Sequence, residues 1–417
     1  MKQKNKIGIL SLGCPRNLVD SETILGRLHL KGYQITDMQE ADIAIINTCA
    51  FIEDAKKESV DAILDLVQLK KEGKIKKILV YGCLSERYKG ELLRELPEVD
   101  AFMGKVSLNH QMHRYPITCH YAYLKICEGC INSCSFCAIP RIKGKFISLD
   151  FDSVLRQAQA MDRQKISEIN IIGQDISGYG LDLYRELRLA GLLKAIAREC
   201  RNTRWLRLLY LHPNRITDEL LEVLRDIPKI CKYIDLPLQH VNNRVLKMMD
   251  RDSSRVKITA LIEKIRKAIP QVSLRTSFIV GFPSETDREF KELLKFIKEA
   301  RFERLGAFIY SREEGTPAYS FGGQIPEEVK QERFNMVMSL QQEVSRQVNK
   351  NFLGRSLEVL IDKEENGHYL GRSEYDAPEV DGLVFVSSKK KLKAGDFVSV
   401  KINDTLEYDL VGEAEGI

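Results

Sequence analysis

Between Cys119 and Pro140 the chain reads CHYAYLKICEGCINSCSFCAIP, and five of its ten cysteines fall there, at positions 119, 127, 130, 134 and 137. The apolar run Ala122–Ile126 has the length and character of a β-strand, and the cysteines crowd the loop that follows it. Two groupings are open: Cys127, Cys130, Cys134 and Cys137 as a four-thiolate site, or Cys130, Cys134 and Cys137 alone as a CxxxCxxC triad. A structural zinc site of four cysteines usually separates its two CxxC pairs by a loop long enough to fold around the ion, and here three residues intervene. Spacings of two and three residues suit an iron-sulfur cube, whose size lets close neighbours reach different corners. Three thiolates leave one iron without a protein ligand, and an open coordination position is what separates a reaction centre from a structural metal. Cys127 is then a small apolar residue at the strand end.

Working downstream, candidate strands recur at Glu168–Ile172, Trp205–Leu211, Tyr233–Leu236, Val272–Val280 and Arg304–Tyr310, each followed by a helical pattern. Six strands alternating with helices predict a partial (β/α) barrel over residues 116–350, with reactive groups on loops at the C-terminal strand ends. Residues 326–350 read as a long polar helix leaving it. Upstream, the runs Lys6–Leu12, Asp42–Asn47 and Lys77–Gly82 alternate with amphipathic helices that stop at Gly32 and Gly73, which predicts a parallel α/β sheet over residues 1–115. From residue 351 to 417 the period changes to two. Short strands at Ser356–Asp362, His368–Glu374, Leu383–Ser388, Phe397–Ile402 and Leu406–Val411 predict a small separate β-barrel. The fold class is therefore α/β with a C-terminal β-barrel, in three domains, as 417 residues allow.

Composition excludes other classes. Hydrophobic residues make up 44% and charged residues 29%, so a disordered or fibrous chain is ruled out, and the cysteine density is far below that of disulfide scaffolds. The run Ile7–Leu12 is too short for a signal segment and no apolar run approaches about 18 residues, so a cytoplasmic protein without membrane partners is expected. A net charge of +5 says little about partners.

Cys14, Cys49 and Cys83 lie 35 and 34 residues apart, each following one of the three N-terminal strands. Parallel strands end on one sheet edge, so three thiols can converge where ligands bind in open α/β sheets. Singly, each is an ordinary buried hydrophobe. Their repetition at one structural position suggests a second three-thiolate metal centre. Cys119, Cys200 and Cys231 show no pattern and are read as structural.

The triad Cys130, Cys134 and Cys137, with Phe136 between the last two, resembles the radical S-adenosylmethionine (SAM) signature. Together with SLGCPRNLVDSE, NTCAFIEDAK, YGCLSERY and a TRAM-like, OB-like β-barrel, the chain is similar to radical-SAM methylthiotransferases over essentially its whole length. Within that family YLHPNRITDELLEVL, DLPLQH, GFPSET, YSREEGTPAY and GRSEYDAPEVDG are most similar to the branch that modifies an aspartate of small-subunit ribosomal protein number twelve. The resemblance implies two 4Fe-4S clusters, one on each triad, with all six cysteines catalytic. It also implies SAM bound at the Cys130/Cys134/Cys137 cluster and cleaved to a 5′-deoxyadenosyl radical that takes a hydrogen from the aspartate β-carbon. Sulfur would be carried and methylated at the Cys14/Cys49/Cys83 cluster, so that CH3S is transferred. Such radical chemistry belongs to the cofactor, the protein supplying orientation and shelter. Expected partners are a basic ribosomal protein, free or in the subunit, a reductase and a sulfur donor.

Further SAM contacts are expected at barrel strand ends: Gln174 and Asp175, Pro237 and Gln239, then Arg275, Ser277, Gly281 and Pro283, with Phe136 beside the triad. Arg275 can fork onto the methionine carboxylate or pair with a structural acid. Gln239 and His240 are either contacts or core hydrogen-bonding residues, and Gly281 marks either a close approach or a turn. After the triad the chain departs from the family pattern, carrying Lys143, Gly144, Ser148 and Leu149 where the family has Arg-Gly and Ser-Arg.

Residues 351–417 hold 8 Lys and Arg against 14 Asp and Glu, a charge of −6. An RNA-binding module carries a basic footprint, so an acidic one favours a basic protein substrate over the tRNA of the sister branch. The basic run Lys389, Lys390, Lys391 and Lys393 reads as a solvated loop. The remaining chain carries +11, which leaves contact with ribosomal RNA open. A third reading, a non-catalytic iron-sulfur or zinc protein that binds RNA, predicts no SAM cleavage.

Overall fold

The computed structural model describes residues 5–108 and 113–416. Its N-terminal sheet holds β1 (Lys6–Ser11), β2 (Gln34–Ile35), β3 (Ile43–Thr48), β4 (Lys77–Gly82) and β5 (Ala101–Phe102), all parallel, in the order β2-β1-β3-β4-β5. The connections contain α1 (Pro15–Leu30), α2 (Glu53–Lys71) and α3 (Cys83–Glu95). The three strands expected from sequence are neighbours, with Leu10 opposite Ile46 and Ile46 opposite Val80, so their C-terminal ends share one edge. Edge strands β2 and β5 have two residues each, too few to show a period.

The central domain begins with β6 (Tyr121–Lys125), followed by a small antiparallel pair, β7 (Cys127–Glu128) and β8 (Ile147–Ser148), flanking the cysteine loop and α4 (Ile139–Lys143). Then come β9 (Glu168–Ile172), β10 (Trp205–Leu208), β11 (Tyr233–Asp235), β12 (Ser273–Val280) and β13 (Arg304–Ile309). Strands β6, β9 and β10 form one parallel sheet and β11, β12 and β13 another, joined by the bridge between Leu206 and Ile230. Ala122, Leu124, Ile169 and Ile171 pack outward against helices in the largest core cluster. By the two-residue alternation of strands, Tyr123 and Asn170, which face each other in register, point inward. The helix Glu327–Asn349 packs on β13 and leads out.

The C-terminal domain is a closed barrel of β14 (Ser356–Glu365), β15 (His368–Ser373), β16 (Val384–Ser387), β17 (Phe397–Thr405) and β18 (Leu410–Ala414). The last strand starts later than its sequence pattern indicates. A register shift between Ile402 and Asp404 extends β17 to Thr405, and a turn closed by Leu406 N–H to the Asp409 carbonyl follows. Among the described residues no helix is long and apolar enough to cross a membrane.

The segment GRSEYDAPEVDG, residues 371–382, closes the base of the central barrel. Arg207 on β10 donates to the Glu374 carbonyl at 2.7 Å, Ser273 on β12 to the Tyr375 carbonyl at 3.1 Å, and Tyr233 on β11 to Asp381 at 2.5 Å. Glu168 on β9 lies between Arg207 and Arg372, 2.7 Å from each, with all three side chains buried. Deleting residues 351–417 would strip Arg372 from Glu168 and uncover this charged interior, and stranding buried charges is strongly destabilising. The truncated chain is therefore expected to lose cooperative thermal unfolding by circular dichroism. An unchanged transition would contradict this.

Candidate functional site

Two glycines draw the N-terminal thiols together. At Gly13 (φ +86°) a Cβ would lie 2.8 Å from the Cys49 Cβ, and at Gly82 (φ +103°) one would lie 2.4 Å from the Thr48 carbonyl oxygen. Only a residue without a side chain lets these three loops approach so closely. Asn17 then ties the edge: its amide donates to the Leu12 carbonyl at 2.9 Å and the Thr48 carbonyl at 3.0 Å, and its oxygen accepts from Cys83 Sγ at 3.9 Å. Cys49 directly follows β3 and Cys83 directly follows β4, whereas Cys14 comes after Leu12 and Gly13 and caps α1. Cys14 thus stands at the N-cap of α1 and Cys83 in the first turn of α3. Burial raises the Cys14 thiol, but the Arg16 guanidinium, the Asn17 backbone and Lys143 together reverse this and hold it below the usual thiol range. Burial pushes Cys83 up to about 12, with Lys143 opposing it and the charges of Cys49 and Cys14 adding to it.

The second triad lies on the loop between β7 and α4. Cys130 Sγ accepts from the Asn132 side chain at 3.4 Å and Cys134 Sγ from Arg251 at 3.6 Å, while the Cys137 N–H donates to the Cys134 carbonyl at 3.1 Å. Ser135 pins the loop, its N–H on the Met249 carbonyl at 3.0 Å and its hydroxyl on the Met248 carbonyl at 2.7 Å. Asp175 holds Asn132 at 2.9 Å and pairs with Arg215, so its task is to order the residue that touches Cys130. Burial raises Cys137 to about 12, with the Cys134 and Cys130 sulfurs adding to it and the Ile139 backbone and Arg16 opposing it. Arg16 donates to Cys14 Sγ at 3.3 Å and to the Gly173 carbonyl at 2.8 Å, so it reaches from the N-terminal triad to the barrel strand end that precedes Gln174.

Cys127 is fully buried in the main core; its Sγ approaches the Asp175 carbonyl at 3.7 Å, and a Cβ at Gly173 would come within 2.3 Å of it. Burial lifts its thiol well above the usual range. Cys200 and Cys231 are buried and Cys119 is exposed. Among the described residues no three Cys, His, Asp or Glu side chains converge as ligands of a single ion do. Thiolates that hold the corners of a cube need only surround it, and an all-cysteine donor set suits iron-sulfur chemistry.

The expected SAM contacts divide. Gln174, just past β9, has both amide atoms buried and without a hydrogen-bond partner, which is the mark of a group awaiting a ligand or water. Replacing it by leucine is expected to raise the KM for SAM about tenfold, the effect of one or two lost hydrogen bonds, with kcat nearly unchanged. Steady-state 5′-deoxyadenosine formation checks this, and an unchanged KM would contradict it. Phe136 packs beside Phe282 and Tyr310. Arg275 takes the other course weighed from sequence: it pairs with Asp235 at 3.1 Å and Asp381 at 3.3 Å, so its fork is already occupied by carboxylates. The Gln239 backbone adopts φ +72° and bridges Ser277 and Ile279, and buried His240 bonds Glu285 at 3.1 Å as a core residue. At Gly281 (φ +71°) a Cβ would strike Lys330 Cγ at 2.3 Å, so a turn and a close side chain account for the glycine.

Two features escaped the sequence reading. Arg16 and Asn17 stand inside the quoted GCPRN stretch, whose polar residues next to a candidate ligand were the available signal. Lys143, noted only as a departure, belongs to a buried ring of four charges: Lys125 to Asp20 at 2.5 Å and to Glu128 at 2.7 Å, Lys143 to Asp20 at 3.2 Å and to Glu128 at 3.1 Å.

A parallel partial barrel with a three-cysteine loop after its first strand defines the class of radical SAM enzymes, and a second cysteine triad on a neighbouring sheet edge narrows it. Family models agree: the uncharacterized protein family UPF0004 matches residues 6–104, the Radical SAM superfamily residues 124–297 and the TRAM domain residues 353–414. The chain is similar to the ribosomal protein uS12 methylthiotransferase RimO of Thermoanaerobacter sp. (strain X514), at 47% identity over 98% of this chain and 99% of that one. The protein of the same name from Clostridioides difficile (strain 630) is 44% identical over 98% of both. Among solved structures, the radical S-adenosylmethionine methyltransferase TsrM from Kitasatospora setae shares the fold, with a TM-score of 0.53 at 11% identity, covering 88% of this chain and 81% of that one. This chain belongs to the uS12 methylthiotransferase family of radical SAM enzymes.

Proposed function

We propose that this protein transfers a CH3S group to the β-carbon of an aspartate in ribosomal protein uS12. The observation that carries the reading is a cysteine triad at the strand-end edge of each α/β domain, with Arg16 reaching from Cys14 to the Gly173 carbonyl of the barrel, in a chain 42–47% identical to uS12 methylthiotransferases over 98% of its length. In this reading Cys130, Cys134 and Cys137 hold one 4Fe-4S cluster and Cys14, Cys49 and Cys83 the other. When bound, the clusters and SAM supply the electron transfer, hydrogen abstraction and sulfur donation that no protein side chain offers.

The chain's own residues do the rest. Asn132 and Arg251 donate to the sulfurs of Cys130 and Cys134 and so orient them, and Arg16 donates to Cys14. Gln174 offers an amide donor and acceptor to SAM at the barrel mouth. The units run over residues 1–115, 116–350 and 351–417, and a reductase and a sulfur donor complete the partners. The net charge of −6 on residues 351–417 supports a basic protein substrate rather than tRNA.

The test incubates anaerobically reconstituted enzyme with SAM, a reductant, sulfide, uS12 and tRNA, followed by mass spectrometry of both candidate substrates. A mass gain of CH3S in place of one hydrogen, located to an aspartate, is expected. Unmodified uS12 alongside methylthiolated tRNA would overturn the reading.

A further inference from the structure

A cation held inside a protein normally has an anion beside it, and the first turn of a helix is an unfavourable place for one. Arg16 stands in the first turn of α1, half-buried, and among the described residues it forms no ion pair with a carboxylate. It is nonetheless fixed. Its Nε donates to Cys14 Sγ at 3.3 Å, its Nη1 donates to the Gly173 carbonyl at 2.8 Å, and its guanidinium lies 4.3 Å from the centroid of the Tyr210 ring. Gly173 directly precedes Gln174, so Arg16 reaches from the N-terminal sheet edge to the mouth of the barrel. Its Nη2 has no partner among the described residues.

The surroundings also lack partners. Tyr210 packs against the buried cluster that holds Tyr123, whose hydroxyl is unpartnered although the residue is only 1% exposed. Asn170, in register with Tyr123 and fully buried, has neither amide atom bonded. Buried polar atoms are almost always satisfied, so this wall of the barrel interior is shaped for a polar ligand or for water.

We propose that Arg16 binds the side-chain carboxylate of the substrate aspartate, an inference that rests on the aspartate reading above. The reacting β-carbon is bonded to that carboxylate carbon and must lie between the group that removes its hydrogen and the group that supplies sulfur. Arg16 reaches from Cys14 of the N-terminal triad to the Gly173 carbonyl at the barrel mouth, so its Nε and Nη1 are anchored and Nη2 remains to receive an oxygen. A charge-assisted bond of this kind discriminates aspartate from the isosteric but neutral asparagine. Arg16 also offsets thiolate charge at Cys14, so the test has to separate the two tasks.

Mass spectrometry of wild-type turnover first locates the modified aspartate, which tests the underlying reading by itself. Equilibrium binding is then measured, without reductant, for uS12 and for uS12 carrying asparagine at that position. Wild-type enzyme is expected to bind the aspartate form about tenfold to a hundredfold more tightly. Arg16→Gln should bind both forms equally while keeping its iron, and Arg16→Lys should retain the preference in part. Equal affinities for wild type, or no measurable binding of either form, would overturn the proposal. So would a preference undiminished in Arg16→Gln, or iron lost from that variant, since the arginine would then serve the cluster alone.

Discussion

Cys134→Ala is expected to lower 5′-deoxyadenosine formation from SAM by about a thousandfold, the scale of removing one member of an obligatory catalytic unit. The loss should not come from unfolding. The loop around Cys134 is held by Ser135 on the Met248 and Met249 carbonyls and by the Ala318 N–H on the Ser135 carbonyl, none of which involves the sulfur. Removing a small buried sulfur should cost about 1 kcal/mol, too little to change the fold. The reciprocal variant, Cys14→Ala/Cys49→Ala/Cys83→Ala, should still form 5′-deoxyadenosine yet transfer no CH3S, because its lesion lies on the other sheet edge. Chromatography of the nucleoside product and mass spectrometry of uS12 read the two steps apart. SAM cleavage that survives in Cys134→Ala would remove the barrel triad from its assigned task.

Lys125→Met is expected to destabilise the protein by about 3–5 kcal/mol, the cost of breaking a buried charge pair from one side. Lys125, Asp20, Glu128 and Lys143 alternate in sign and none is more than 7% exposed at its side chain. Removing Lys125 leaves two carboxylates for one lysine. The double variant Lys125→Met/Asp20→Leu should lie nearer wild type than either single variant, because it strands no charge. The ring also positions the chemistry. Asp20 is on the helix capped by Cys14, and Lys143 ends the helix that begins two residues after Cys137. Burial raises the Glu128 carboxyl, but Lys125 and Lys143 outweigh it and hold it at about 2. The folded pKa is thus below the unfolded value of about 4.3, so this contribution is fully present above that pH and is lost as pH falls toward about 2. Thermal unfolding of Lys125→Met should accordingly depend less steeply on pH across that window than wild type. A variant with wild-type stability and pH slope would show that the ring is not closed.

The succession of strands along all three domains was legible because each central strand carries a run of four to eight apolar or alternating residues, and β4 and β9 match their expected bounds. Cys14, Cys49 and Cys83 could be brought to one edge from chain order alone, since β1, β3 and β4 had to be parallel. What stayed hidden depends on contacts between distant segments. Lys125 meets Asp20 across 105 positions and Lys143 meets it across 123, and no local period records such pairs. Arg275 looked available for a ligand because Asp381, one of its two acids, comes from the C-terminal domain. The GRSEYDAPEVDG segment begins inside the expected strand His368–Glu374 and runs to the next one, and its insertion under the barrel follows only from how two domains dock.

Iron and sulfide content with EPR, measured on anaerobically reconstituted wild type and on Cys14→Ala/Cys49→Ala/Cys83→Ala, tests the two-centre account most directly. About eight irons in wild type and about four in the variant are expected, one 4Fe-4S cluster for each triad. Zinc in place of iron, or an iron content the triple substitution leaves unchanged, would contradict it and return the N-terminal cysteines to the role of buried apolar residues.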